Sequence, residues 1–250
     1  MTRRTISTYS EPDNFQIPQF LANFAAITGK GGVKKLMEAK IALIGTGGVG
    51  SWTGEYLARS GAHNIFLFDP DRVHPTNINR QLPASPHTVG EFKVEIMKKR
   101  LQWINPQGNF MVYQDFVDGN YLENFHLKFD YIIDAIDHMT AKSSILSWSH
   151  SNNIPVVTSL GAGARIDPTQ VRSADLADTM RCPLGRDLRR IMRRKYNFPQ
   201  TGKMGIKAVY SLEQPLQSLD PKFKNGTIAP VTSTFGATLA AITIKDISLP

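Results

Sequence analysis

Residues 45–50 read GTGGVG, and Gly45, Gly47 and Gly50 fit the pattern GxGxxG between an apolar run, KIALI, and a stretch of helical spacing. Glycines there let the backbone turn tightly and approach a phosphate, whose charge is met by amides at the N-terminus of the following helix. Alone, the pattern suits any nucleotide, or a turn that binds nothing. Asp69 ends the next apolar run, where a ribose-hydroxyl acceptor is expected; a solvated strand-end carboxylate is the plain alternative. The residues beyond Asp69 are unusual for a dinucleotide site: Asp71, then Asn77-x-x-Arg80-Gln81, then Lys93, then Asp134-Ala-Ile-Asp137. Arginine and lysine beside a nucleotide neutralise a triphosphate and the charge that develops on a phosphorus under attack, and a carboxylate at a strand end can hold magnesium there. Hydride transfer needs no such density of positive charge. Singly, Arg80 reads as a surface ion-pair partner and Lys93 as a solvated helix residue. Together they read as a nucleotidyl-transfer site.

Such residues need a frame that brings strand ends together. KIALIG (40–45) and NIFLFD (64–69) read as buried parallel strands, and VGSWTGEYLARSG between them as a helix, which implies a right-handed crossover. An earlier helix is expected over GVKKLMEA (32–39). A polar loop from Pro70 to Thr88 is followed by EFKVEIMKKRLQWIN, expected as a helix with Phe92, Ile96, Leu101 and Ile104 on one side. FMVYQDF, FDYIIDAID and IPVVTSLGAG read as strands, and AKSSILSWSHSNN as a helix before the last of them. Beyond Ala164 the alternation fades. LGRDLRRIMRRKY is amphipathic, with Leu184, Leu188, Ile191 and Met192 on its apolar stripe, KAVYSLEQ is a candidate strand, and the small-residue-rich stretch from Gly226 packs on the sheet. The pattern predicts an α/β fold with a doubly wound, mainly parallel, Rossmann-like sheet. It divides into an N-terminal extension (1–31), a nucleotide-binding core (32–164) and a C-terminal part of the same domain (165–250).

At 250 residues with 41% hydrophobic and 20% charged residues, the chain can bury a sizeable core. Its one cysteine, Cys182, excludes an internal disulfide framework or a CxxC zinc pair and favours a reducing compartment. No apolar run is long enough for a bilayer, and the N-terminus lacks a secretion-signal core, so a cytoplasmic location is expected. The net charge of +8 is unevenly spread: from Arg181 to Lys195, seven basic residues face one acid, Asp187. Arg186, Arg189, Arg190 and Arg193 share a stripe opposite the apolar one, and Arg194 and Lys195 extend it. A concentrated patch of this kind points to a polyanion, with a solvated face as the plain alternative.

The run GTGGVGSWTGEYLARSG…FDPDRVHPTNINRQ resembles the ThiF/MoeB superfamily of enzymes that adenylate carboxylates with ATP and magnesium. Within it, NINRQ, VGEFKVEIM, INPQ, DYIIDAID, GAGARIDPTQVRSADLADT and KAVYSLE are most similar to the tRNA threonylcarbamoyladenosine dehydratases, over about Ile41 to Glu213. The resemblance implies a tRNA substrate whose threonyl carboxylate is adenylated and whose carbamoyl group then closes a ring. It implies phosphates on Gly47 and Gly48, ribose on Asp69, and Asn77, Arg80 and Lys93 on the triphosphate and transferring phosphorus. Asp137 would orient Mg2+. Gly45, Gly50, Asp71 and Gln81 complete the implied ATP site, and the basic helix (Arg186, Arg189, Arg190, Arg193, Arg194, Lys195) the tRNA surface. A homodimer and sulfur-transfer partner proteins are further implications.

The match has gaps. Relatives carry an arginine shortly before the first strand that reaches ATP across a dimer, whereas FLANFAAITGKGGVKK has none. Lys30, Lys34 or Lys35 are point-charge substitutes without the bidentate fork, and Arg3 and Arg4 lie on the N-terminal tail. Cys182 is expected to be a bystander, because intramolecular ring closure requires no enzyme nucleophile. Three other readings stay open: adenylation of a ubiquitin-like or sulfur-carrier protein, a noncatalytic nucleotide- or RNA-binding relative and, more distantly, an NAD dehydrogenase.

Overall fold

In the computed structural model, which describes residues 15–220 and 226–249, seven strands form one sheet in the order β3-β2-β1-β4-β5-β7-β6. The strands are β1 (Lys40–Ile44), β2 (Asn64–Phe68), β3 (Asn109–Tyr113), β4 (Tyr131–Asp134), β5 (Val156–Ser159), β6 (Val171–Asp175) and β7 (Lys207–Ser211). All neighbours run parallel except β6, which pairs antiparallel with β7 at the edge. Seven helices accompany them: α1 (Ala22–Glu38), α2 (Gly50–Arg59), α3 (Lys93–Ile104), α4 (Gly119–Glu123), α5 (Met139–Ser151), α6 (Pro183–Lys195) and α7 (Ala229–Ser248).

Strand periodicity explains why both faces are covered. Ile41 and Leu43 of β1 join Leu57, Met97 and Phe235 in one core, on the side of α1, α2, α3 and α7. Ala42 and Ile44 face the other way and join Ile145, Leu188 and Met192, on the side of α4, α5 and α6. A strand buried on both faces reads as a continuous apolar run, as KIALI does. The strand order reverses between β1 and β4, which leaves a crevice at their C-terminal ends.

Three local features differ from the sequence reading, at α1, at α3 and at β6. Helix α1 begins at Ala22, ten residues before Gly32, because its two halves meet at a kink where Gly29 has φ 69°. On α3 the buried side runs through Lys93, Val94, Met97 and Leu101, while Phe92 precedes the helix and Ile96 and Ile104 are half-buried. Beyond Ala164, KAVYS forms the expected strand, β7, which pairs with β5 from Val157↔Lys207, and an unexpected one, β6, closes the edge. Strand β6 carries Arg172 and Asp175 and hides no side chain fully, so its residues look like a loop. The small-residue stretch packs on the sheet as expected, as one twenty-residue helix, α7, and no helix among the described residues is long and apolar enough to cross a membrane. Arg3 and Arg4 lie outside the described residues.

Beneath the crevice, Lys142 of α5 donates to the Asp134 carboxylate at 2.6 Å, and both side chains are wholly buried. Thr158 Oγ1 donates to the same oxygen at 2.6 Å, and Lys142 Nζ also reaches the Ser159 carbonyl at 3.0 Å. This ties β4, α5 and β5 together under the strand ends. Removing one member strands the other charge in a dry interior. Lys142→Met is therefore expected to lose about 3–5 kcal/mol of unfolding free energy, read from urea denaturation followed by circular dichroism.

Candidate nucleotide site

The glycine turn is set by close approach. Gly45 has φ +91°, and a β-carbon on it would lie 2.9 Å from the Ala135 carbonyl oxygen. A β-carbon on Gly50 would lie 1.8 Å from the Gly45 oxygen, so only glycine lets α2 start directly against the end of β1. The amides of Gly47 and Gly48 donate to no protein group among the described residues. They face a cavity of about 640 Å³ that runs along the C-terminal ends of β2, β1, β4 and β5, a size suited to a nucleotide and part of a second substrate. The α2 N-terminus adds its partial positive charge there.

Asp69 closes β2 and is buried. Its Oδ2 accepts from Thr46 N at 2.7 Å and Thr46 Oγ1 at 3.0 Å, and its Oδ1 accepts from Asp71 N at 2.9 Å. The carboxylate therefore shapes the glycine turn and keeps acceptor capacity on Oδ1 alone. Lys93 Nζ bonds Asp71 Oδ2 at 2.7 Å, with 7% of the lysine side chain exposed against 65% for the aspartate. Lys93 is placed by its backbone: its amide donates to the Asp71 carbonyl, and Arg72 and Phe92 form an antiparallel bridge beside it.

Arg80 lies across Gly48, whose β-carbon would sit 3.3 Å from Arg80 Cγ and from Thr232 Cγ2 of α7. Among the described residues its guanidinium meets only neutral acceptors, the Thr76 carbonyl at 2.8 Å and Asn79 Oδ1 at 2.9 Å. Partial burial pushes its pKa down, the mark of a cation short of solvation and open to an anion. Asn77 ends a short 3-10 turn (Pro75–Asn77) and its Oδ1 accepts from His74 N at 3.0 Å. Gln81 is buried, with its Nε2 turned toward Gly47 and its Oε1 without a hydrogen-bond partner, a second unfilled group on the cavity wall. Asp137 stands exposed on the rim, just past β4. Gly45, Gly47, Gly48, Asp69, Asp71, Asn77, Arg80, Gln81, Lys93 and Asp137 thus all border one cavity, while Gly50 lies behind the turn.

The basic helix α6 starts at the same cavity, which Cys182, Pro183 and Leu184 line. Leu188 and Met192 are buried, and Arg186, Arg190, Arg194 and Lys195 are exposed. Arg189 differs: its guanidinium turns inward to Thr179 Oγ1 and the Leu176 carbonyl, and burial, with Arg193 nearby, lowers its pKa. Arg193 donates to the Pro199 carbonyl at 3.2 Å. Cys182 is buried and caps α6, its Sγ accepting from Gly185 N at 3.4 Å. Three contributors escaped the sequence reading. Thr46 is hidden inside the glycine motif. Phe116, half-exposed on the rim and edge-on to His138, follows β3 without a motif of its own. Arg165 lies in GAGAR, a glycine-rich strand-end turn of the same kind as the first, and that was its available signal.

A glycine turn, a helix N-terminus and two cations at the switch point of a doubly wound sheet define a nucleotide-binding protein built for phosphate chemistry rather than hydride transfer. The chain belongs to the ThiF family, which it matches over residues 20–249. It is 40% identical over 214 residues to the tRNA threonylcarbamoyladenosine dehydratase of Haemophilus influenzae, covering 84% of this chain and 81% of that protein. The Escherichia coli protein of the same name is 39% identical over 192 residues, covering 76% and 72%. The crystal structure of E. coli tRNA N6-threonylcarbamoyladenosine dehydratase with AMP superposes with a TM-score of 0.87 at 35% identity, covering 92% of this chain and 94% of that one. The same enzyme with ATP gives 0.85 at 36% identity, covering 92% and 93%.

The 1.8 Å approach at residue 50 is the sharpest test of this geometry. Gly50→Ala is expected to abolish detectable ATP binding by calorimetry while Gly47→Ala, whose β-carbon meets nothing nearer than 3.7 Å, weakens it far less.

Proposed function

We propose that this chain is an ATP-dependent tRNA threonylcarbamoyladenosine dehydratase. The observation that supports the reading is the joining of two features at one cavity: the glycine turn with Arg80 and Lys93 on its wall, and the N-terminal end of α6 (Cys182, Pro183 and Leu184), from which the helix carries its exposed cations away. A nucleotide alone has no use for exposed Arg186, Arg190, Arg194 and Lys195 leading away from its site; a tRNA backbone does.

The first step joins a threonyl carboxylate oxygen to the α-phosphorus of ATP and breaks the bond to the β-phosphate, releasing pyrophosphate. Arg80, Lys93 and the Gly47–Gly48 amides spread the charge that builds on the phosphate oxygens, and Asn77 helps orient the chain of phosphates. In the second step the carbamoyl group of the same modification attacks the activated carbonyl carbon, loses a proton and expels AMP. The net change on tRNA is loss of one water. No enzyme nucleophile is consumed, in keeping with the capping role of Cys182.

Asp137 would hold Mg2+. No cluster of three or more His, Cys, Asp or Glu groups suited to a metal exists among the described residues, and one rim carboxylate fits an ion that keeps its waters and takes its other ligands from phosphates. A homodimer supplying a cation from the segment before β1 of the partner, and a cytoplasmic location, complete the proposal.

Nucleoside mass spectrometry on tRNA incubated with the protein, ATP and magnesium, digested at neutral pH, is expected to show loss of one water from threonylcarbamoyladenosine with AMP formed in step. ATP binding without AMP would overturn the reading, and pyrophosphate exchange driven by a carrier protein would replace it. Lys93→Ala is expected to slow turnover on the order of 10²-fold. The pair Arg190→Glu and Arg194→Glu should raise KM for tRNA steeply at low salt, less so at higher salt, and leave KM for ATP unchanged.

A further inference from the structure

The cavity has a second end. Across the strand order, Asp69 (β2) and the glycine turn (β1) occupy one side, and the loops after β4 and β5 the other. With ribose and phosphates at β2 and β1, the group that attacks the α-phosphorus must enter from β4 and β5, about 10 Å further along, two interstrand spacings.

Arg165 stands there. It is 4% exposed, borders the cavity and forms no ion pair among the described residues. Its Nη1 donates to the carbonyls of Gly161 at 2.7 Å and Gly163 at 2.8 Å, and its Nη2 to the Arg181 carbonyl at 3.0 Å. Two donors are left, the Nε–H, which is buried without a partner, and the second Nη2 hydrogen. Nε and Nη2 form the edge of a guanidinium that grips a carboxylate side-on. A cation buried this far without an anion is costly, and carbonyl dipoles offset only part of that cost.

The N-terminus of α6 points into the same corner. Pro183 has no N–H, Gly185 N is capped by Cys182 Sγ, and the Leu184 amide donates to no protein group among the described residues. A β-carbon on Gly161 would lie 3.5 Å from Cys182 Sγ and 3.9 Å from Arg165 Nη1, so loop, sulfur and guanidinium enclose one small space. The backbone is held under strain on both sides of it, with φ 58° at Ala164 and 53° at Arg181, conformations that non-glycine residues keep only where surroundings enforce them.

We propose that Arg165, together with the N-terminus of α6, is the subsite that holds the carboxylate of the substrate before it is adenylated. This rests on the dehydratase reading above and adds to it the group that recognises the acid. The subsite selects a carboxylate on the modified base, and a tRNA lacking that carboxylate has nothing to offer it.

The test compares two anticodon stem-loops bound by the full chain in the presence of a non-hydrolysable ATP analogue. One carries threonylcarbamoyladenosine, and the other carries the same modification with its carboxylate converted to a primary amide. The wild-type protein is expected to prefer the acid by roughly tenfold or more, the scale of a charge-assisted hydrogen-bond pair. Arg165→Gln, which retains donors for the neighbouring carbonyls, should lose that preference while binding the amide stem-loop and the ATP analogue as before; Arg165→Lys should recover part of it. Equal weakening of both stem-loops would mean that Arg165 holds a backbone phosphate, and weakening of ATP binding that it is only a brace; either overturns the proposal. Should Arg165→Gln fail to fold, the acid-against-amide comparison on Arg165→Lys decides, since a full wild-type preference there excludes a fork at this position. A wild-type protein that dehydrates tRNA yet shows no preference refutes the subsite alone, whereas one that does neither refutes the dehydratase reading.

Discussion

The carbonyl oxygen of Gly45 occupies the place where any side chain on residue 50 would begin, and the rest of the site is arranged around that contact. Because the two residues touch, α2 starts at the end of β1 with no connecting slack, and its free amides are aimed along the crevice. Asp69 fixes the same turn from the neighbouring strand through Thr46. Arg80 then lies over Gly48, and Lys93 reaches in from the start of α3, held by Asp71. Shifting the turn by even an ångström would pull the cations out of register with its free amides.

Much of this was legible in the chain because the signals are local. KIALI and NIFLF are buried on both faces, so they carry unbroken apolar runs, and the glycines between them have few other uses. The ligand-facing residues come just after strand ends, where a doubly wound sheet gathers them. What escaped is what depends on partners distant in sequence. β6 is an edge strand whose charged residues pair with β7 some thirty-five residues on, and nothing in VRSAD alone marks that. The helical stripe of α6 was correct in outline, but Arg189 turns inward because Thr179 and a carbonyl of the preceding turn wait there. Arg165 was not singled out, because the lack of an anion beside it is a property of the fold.

The molecule treats its charges in two ways. Lys142 is neutralised completely by Asp134 and sits under the sheet ends as scaffolding. Arg80 and Arg165 receive only carbonyl or amide oxygens, so their charge remains available at the cavity. Burial of the first pair rigidifies the floor, and incomplete compensation of the other two keeps the walls attractive to anions.

Helix α7 has one further consequence. Thr53 Oγ1 of α2 donates to the carbonyl of Gly236, across 183 residues of sequence, and a β-carbon on Gly236 would strike Trp52 and the Val49 carbonyl. Helix α2 is thus seated by a segment far along the chain. Contacts of such span carry a large loop-closure cost, and the pocket is complete only once they have formed. A ligand that recognises only the finished pocket draws the folding equilibrium toward it, so whatever fills the pocket also acts as a silent chaperone of the chain.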